Sequence, residues 1–148
     1  MGGRSGSSGR SSISGLPSEN SYKIISKLPS LTGSEKQISY ATKIRNEIGR
    51  AALYQATART SDGRPSSLMQ TAKKGNAAIK NDINNNALIK SSTGSVKKEK
   101  IKDAVNGYKD LSDRISRVNE VLSNSSAKFW IDNKYGDKIM KYIDTGKY

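Results

Sequence analysis

The sequence predicts a mainly α protein: a small helical bundle of three to five helices behind a Gly/Ser-rich N-terminal tail that is expected to be disordered. Three observations predict it. Apolar residues recur at spacings of three and four over 38–52 and again over 101–122, which draws one apolar face along each helix. Helix-capping signals open the first of these runs, and polar stretches rich in Ser, Asn and Gly separate them. The short segment 22–28, where a strand could lie, has no partner that the sequence clearly provides. At 148 residues the chain suits one core, so the expected division is a tail over 1–20 and a single helical domain over 21–148.

Residues 1–20 hold twelve Gly or Ser and too little apolar area to offset their ordering entropy. A passive leader is the expectation, with an arginine-bearing arm that tracks phosphates as the alternative. Next comes 22–28, YKIISKL, which stops before Pro29 and reads as an extended segment laid on the core. A strand there lacks an evident partner.

The chain is organised around 31–52. Two overlapping capping boxes, Thr32 with Glu35 and Ser34 with Gln37, mark the start of a helix. Ile38, Ala41, Ile44, Ile48, Ala51 and Ala52 form its apolar face, while Lys36, Lys43, Arg45 and Arg50 lie beside that face. The back of the helix is then either an ordinary solvated surface or a binding surface. Thr60 to Pro65 is a turn by composition, with Pro65 suited to the first position of a new helix. Over 66–90 we expect one interrupted helix or two short ones, with Leu68, Ala72, Asn76, Ile79, Ile83 and Ala87 near one face and Gly75 and Asn84, Asn85 and Asn86 weakening it. Lys73 and Lys74 extend the positive surface.

A second linker, 91–95, precedes a third helix opened by Lys97, Lys98 and Lys100, cations that oppose the helix dipole at this end. Its seam is Ile101, Ala104, Tyr108, Leu111, Ile115, Val118 and Leu122. Such a seam serves either a bundle or a coiled-coil dimer, and a bundle face packed with the 31–52 helix is favoured at this length with Gly107 inside it. After the linker 123–126, a short segment 127–133 carries Phe129 and Trp130, read as core plugs with a stacking platform as the alternative. Gly136 ends that turn, and Ile139, Met140 and Ile143 suggest one last short helix.

The chain has no Cys and no His, which removes disulfides, thiolate nucleophiles, Cys-ligated zinc and the commonest general base. No phosphate-binding loop, dinucleotide fingerprint or calcium loop is present. The acidic pairs Asp110 with Asp113 and Asp132 with Asp137 sit among cations that pair with them more cheaply. A protein without catalysis, metal or cofactor is expected. No apolar run approaches a membrane span and no apolar secretion segment opens the chain, so a soluble protein inside the cell is expected.

Charge is the strongest compositional signal. The formal net charge is +13, and residues 21–60 alone carry seven cations against Glu35 and Glu47. A charge of this size favours nucleic acid or an acidic surface as partner and says nothing about fold. The candidate contact residues are Lys36, Lys43, Arg45, Arg50, Lys73, Lys74, Lys97, Lys98 and Lys100, which would neutralise phosphates with little reading of bases.

One stretch also carries a resemblance. Residues 31–45, LTGSEKQISYATKIR, resemble a module, L-x-G-S-E-K-Q-I-x-[YW]-A-x-x-I-R, found in small uncharacterised proteins of phages and mobile elements. A later K-F-W-I-D-N segment accompanies it in many of these and stands here at 128–133, followed by Lys134 where Arg is expected. The opening 1–9 is similar to Gly/Arg/Ser leaders of phage head-morphogenesis and toxin-type reading frames. The resemblance covers no more than about forty residues and brings no activity with it. It implies a phage-type accessory protein in the cytoplasm of a bacterial host. The partner is then nucleic acid, or a host nucleoprotein inhibited by direct contact in the manner of an anti-CRISPR, or a phage head. A monomer is favoured, with a dimer through 101–122 as the alternative.

Overall fold

The computed structural model describes residues 15–59, 62–90 and 98–148, with side chains described outside 86–90 and 98–100. A 3-10 turn at Glu19–Tyr22 leads into six α-helices among these residues: α1 (Glu35–Ala56), α2 (Ser67–Lys74), α3 (Asn76–Lys90), α4 (Lys98–Leu122), α5 (Ala127–Asp132) and α6 (Asp137–Thr145). The protein is mainly helical, as the periodicity predicts. There is one more helix than the three to five expected, because Gly75 and Gly136 each divide a stretch where the chain turns sharply. No helix among the described residues is long and apolar enough to cross a membrane.

The chain gathers into two compact units. One takes in Met1–Tyr22, as far as it is described, with Ser67–Ser112; the other joins Lys23–Ser66 to Asp113–Tyr148. Helix α4 supplies its first part to one and its last part to the other.

In the first unit, Tyr22, Met69, Ala72, Ile79, Ile83, Val105, Tyr108 and Leu111 are buried. Gly75, at φ +110°, breaks the stretch into α2 and α3 as its composition predicts, since only glycine takes that backbone without strain. A glycine has no side chain to cap the helix that follows. Glu19 does so from 57 positions away, its carboxylate accepting from the Asn76 N–H at 2.9 Å. Of the expected tail, residues 1–14 lie outside the described residues; Glu19 makes that cap, and Tyr22, which follows the tail, is buried. Pro65 is likewise not the first helical residue, because α2 begins at Ser67 after Ser66 N–H has bonded back to Thr57 O. The rings of Tyr22 and Tyr108 meet edge to face at 6.5 Å, and the Tyr108 hydroxyl donates to Asp82 at 3.0 Å. Burial pushes the Tyr22 hydroxyl up to about 12. It pushes Tyr108 up as well, with the hydrogen bond and negative charge of Asp82 adding to the effect.

The second unit is built on α1. Ala41, Ile44, Ile48, Ala52 and Ala56 face a core completed by Leu31, Val118, Val121, Leu122, Ala127, Trp130, Ile139 and Ile143. Gly49 of α1 allows close approach, for a Cβ there would stand 2.9 Å from the tip of Leu122. The seam expectation therefore holds with α1 for Val118 and Leu122, whereas Tyr108 and Leu111 belong to the other unit. All the seam positions from Tyr108 to Leu122 are buried within the single chain. Ala51, expected on the apolar face, is exposed at its margin.

Two local solutions shape this unit. The extended segment after Tyr22 has found its partner in a side chain: Asn119 accepts from the Ile25 N–H at 2.9 Å and donates to Lys23 O at 2.8 Å. One amide thus pairs with the segment as a neighbouring strand would. Arg117 reaches the C-terminal end of α6, donating to Ile143 O at 2.8 Å, where a cation complements the helix dipole.

Candidate nucleic-acid interface

The candidate surface is set by how α1 starts. Of the two capping boxes, the one that forms is Ser34 with Gln37: the Ser34 hydroxyl accepts from Gln37 N–H and the Gln37 side chain accepts from Ser34 N–H. Thr32 is used otherwise. Its N–H and hydroxyl both donate to Ser125 O, and its carbonyl accepts from Ala127 N–H, making a short parallel bridge to Ser126. Gly33, at φ +148°, lies between them because a Cβ there would sit 2.9 Å from Gln37 Oε1 and 3.1 Å from the Ala127 methyl. Ser126 in turn caps α5 through Phe129 N–H. The 31–45 stretch and the K-F-W-I-D-N segment, far apart in sequence, are thus stapled together.

Trp130 locks the joint. It is fully buried, its indole N–H donates to Asn124 O at 3.1 Å, and half-buried Phe129 meets it edge to face at 5.3 Å. Of the two readings of these aromatics, the core plug describes Trp130.

With the apolar face of α1 clamped in this way, the opposite face is fixed toward solvent. Lys36, Tyr40, Lys43, Glu47, Arg50 and Tyr54 are all exposed there. Their spacing of four and three residues keeps them within an arc of roughly 80° along about 27 Å of helix. Three cations at seven-residue intervals face a single acid within the stripe. An open hollow lined by Glu47, Arg50, Ala51, Tyr54 and Gln55 lies at its C-terminal end.

Arg45 departs from expectation. It is half-buried on the other side of α1 and donates to Pro29 O at 2.7 Å, and its Nε is buried without a partner among the described residues. At 100° per residue it falls opposite the stripe, so its guanidinium fastens the 23–31 segment to the helix. Lys73 and Lys74 are exposed in the last turn of α2, in the first unit, where they complement the dipole of their own helix. Lys97 lies outside the described residues, and of Lys98 and Lys100 only the helical backbone is described. Of the expected contact residues, Lys36, Lys43 and Arg50 stand together on one face of α1.

Tyr40 and Tyr54, 47% and 46% exposed, were not among the residues that composition and charge single out. The signal was present as the same four-three spacing read on the face opposite the apolar stripe. Among the described residues no group of three His, Cys, Asp or Glu is placed to hold a metal ion, and the Asp132 carboxylate is engaged by Lys128 at 2.6 Å. No protein-family model, no curated protein and no solved structure matches this chain.

Proposed function

We propose that the protein binds nucleic acid, free or within a nucleoprotein, through the outer stripe of α1, as a phage-type accessory protein in a bacterial cell. The observation that carries this reading is the alignment of Lys36, Lys43 and Arg50, exposed at about 10 Å intervals on a helix whose other face is locked in the core. Lysine and arginine so placed meet phosphates without needing to read bases. Lys73, Lys74, Lys97, Lys98 and Lys100 add to the positive charge, and Arg45 contributes to the fold instead.

The test is salt-dependent binding to a labelled oligonucleotide. Three neutralised phosphates give a slope of log K against log salt of about −2 to −3, or roughly 20- to 40-fold weaker binding between 50 and 200 mM salt. Replacing Lys36, Lys43 and Arg50 by Glu weakens binding, flattens that slope and leaves the melting midpoint within a few degrees. A triple variant that folds and binds undiminished would move the site elsewhere.

A second reading, an inhibitor acting on a host defence nucleoprotein by protein contact, is favoured by Tyr135. That ring is 82% exposed, with Lys134 Nζ 5.3 Å from its centroid, a pairing suited to a protein surface. Capture of a host protein that persists after nuclease treatment and is lost in Tyr135→Ala supports this reading over the first.

A further inference from the structure

We infer that the ligand of the α1 stripe is single-stranded RNA, with Tyr40 and Tyr54 as its base-stacking platforms; this rests on the nucleic-acid reading above and narrows it. Along the stripe the order is cation, aromatic, cation, acid, cation, aromatic: Lys36, Tyr40, Lys43, Glu47, Arg50, Tyr54. Each tyrosine therefore has a cation within one turn on its own face. Phosphate contacts alone would not call for aromatics. A positive groove combined with exposed rings is the combination that holds a single strand, because unstacked bases offer π-faces that a duplex keeps internal.

The two rings are nearly half exposed on a helix whose opposite face is buried against Trp130, Val118 and Leu122, so they are held out on a rigid support. Tyr40 and Tyr54 lie fourteen residues apart, about 21 Å along the axis, with Lys43 and Arg50 between them. A strand laid along α1 can place a base on each ring while its phosphates meet the intervening cations. The hollow bordered by Arg50, Tyr54 and Gln55 gives the second base a recess.

Glu47 decides between the two kinds of single strand. It lies between Lys43 and Arg50, and a carboxylate can only accept hydrogen bonds. The phosphate oxygens of either backbone are acceptors and repel it. Beside RNA it meets a 2′-hydroxyl on every sugar, a donor that DNA lacks.

The experiment uses the full chain with oligo(rU), oligo(dU) of equal length and an RNA duplex, titrated at about 50 mM salt and again at 200 mM. The two uridine strands differ only at the 2′ position. Expected are tighter binding of oligo(rU) than of either other ligand and at least about fivefold weaker oligo(rU) binding for each of Tyr40→Ala and Tyr54→Ala. Tyr40→Phe and Tyr54→Phe should retain affinity, since a phenyl ring still stacks, which separates stacking from any effect on folding. The salt slope should be the same in all four tyrosine variants. Glu47→Ala should abolish the preference for oligo(rU) over oligo(dU).

Equal binding of duplex and single strands, with the alanine variants unchanged, overturns the stacking assignment and leaves the phosphate reading standing. Equal or tighter binding of oligo(dU) overturns the assignment to RNA. Absence of binding to all three ligands at 50 mM salt overturns both readings together.

Discussion

Single side chains in this protein stand in for structure that is missing elsewhere. Asn119 replaces a strand, Glu19 replaces a cap that Gly75 cannot provide, and Trp130 with Asn124 closes the joint between two helix starts. Trp130→Ala should cost about 3 to 5 kcal/mol, because the site is fully enclosed and the indole is the largest buried side chain. Denaturant unfolding would measure it, and a loss below about 1 kcal/mol would mean that the joint is held by its backbone bonds instead. The buried tyrosines add a pH dependence whose sign is fixed. Tyr22 and Tyr108 hold their protons above the ordinary value of about 10, so beyond that pH the unfolded chain binds fewer protons than the folded one. Both contributions are fully present below pH 10; that of Tyr22 is lost as the pH rises through about 12, and that of Tyr108 is lost in the same alkaline direction. Tyr108→Phe should cost of order 1 kcal/mol at neutral pH, through the lost bond to Asp82, and should flatten the alkaline fall. Parallel stability profiles of parent and variant between pH 9 and 12 would remove Tyr108 from the cause.

Helix ends are where the elements of this protein are specified. Ser34→Ala breaks one half of the capping box and should cost about 0.5 to 2 kcal/mol, read as a lower denaturation midpoint. The other end of α1 is less well made. Arg59 N–H bonds to Tyr54 O and Ala58 N–H to Gln55 O, the Schellman pattern, yet the left-handed position is held by Ala58 at φ +46°. An alanine there costs roughly 1 to 2 kcal/mol, while glycine adds about 0.4 to 1 kcal/mol of unfolded-state freedom. Ala58→Gly should therefore stabilise by several tenths to about 1 kcal/mol, and a destabilised variant would mean that Ala58 Cβ makes contacts that outweigh the strain. These ends also show what can be read from sequence. The four-three spacing located α1 and α4, the capping boxes located the start of α1, and Gly75 marked the break between α2 and α3. Each is a local signal. Arg45 was misplaced because a guanidinium on a long apolar stem can lie against the core and still find a carbonyl, here Pro29 O. The partition of α4 between two units, and the pairing of Asn119 with backbone 94 and 96 positions away, depend on tertiary contacts and leave no periodic trace.

On the scale of the whole molecule, net charge sets the remaining term. The chain carries +13, and ion pairs such as Arg64 with Asp62 and Lys128 with Asp132 are exposed and contribute little. Self-repulsion therefore opposes folding, most strongly at low ionic strength, where the Debye length is about 30 Å at 0.01 M against about 10 Å at 0.1 M. At the longer length the stripe's cations, which span about 21 Å from Lys36 to Arg50, all act on one another. At the shorter one each feels only its neighbour. Raising sodium chloride from about 10 to 100 mM should thus raise the melting midpoint by a few degrees, equivalent to the order of 1 kcal/mol for a domain of this size. The same change should weaken nucleic-acid binding, so stability and affinity move in opposite directions with salt. The Glu variants at Lys36, Lys43 and Arg50 should lose part of both dependences, because they remove the repulsion and the phosphate contacts together. A midpoint that falls with added salt would show that attractive pairs outweigh the excess of positive charge. Loss of the salt effect on binding with the effect on stability intact would place the stripe's cations outside the charge that strains the fold.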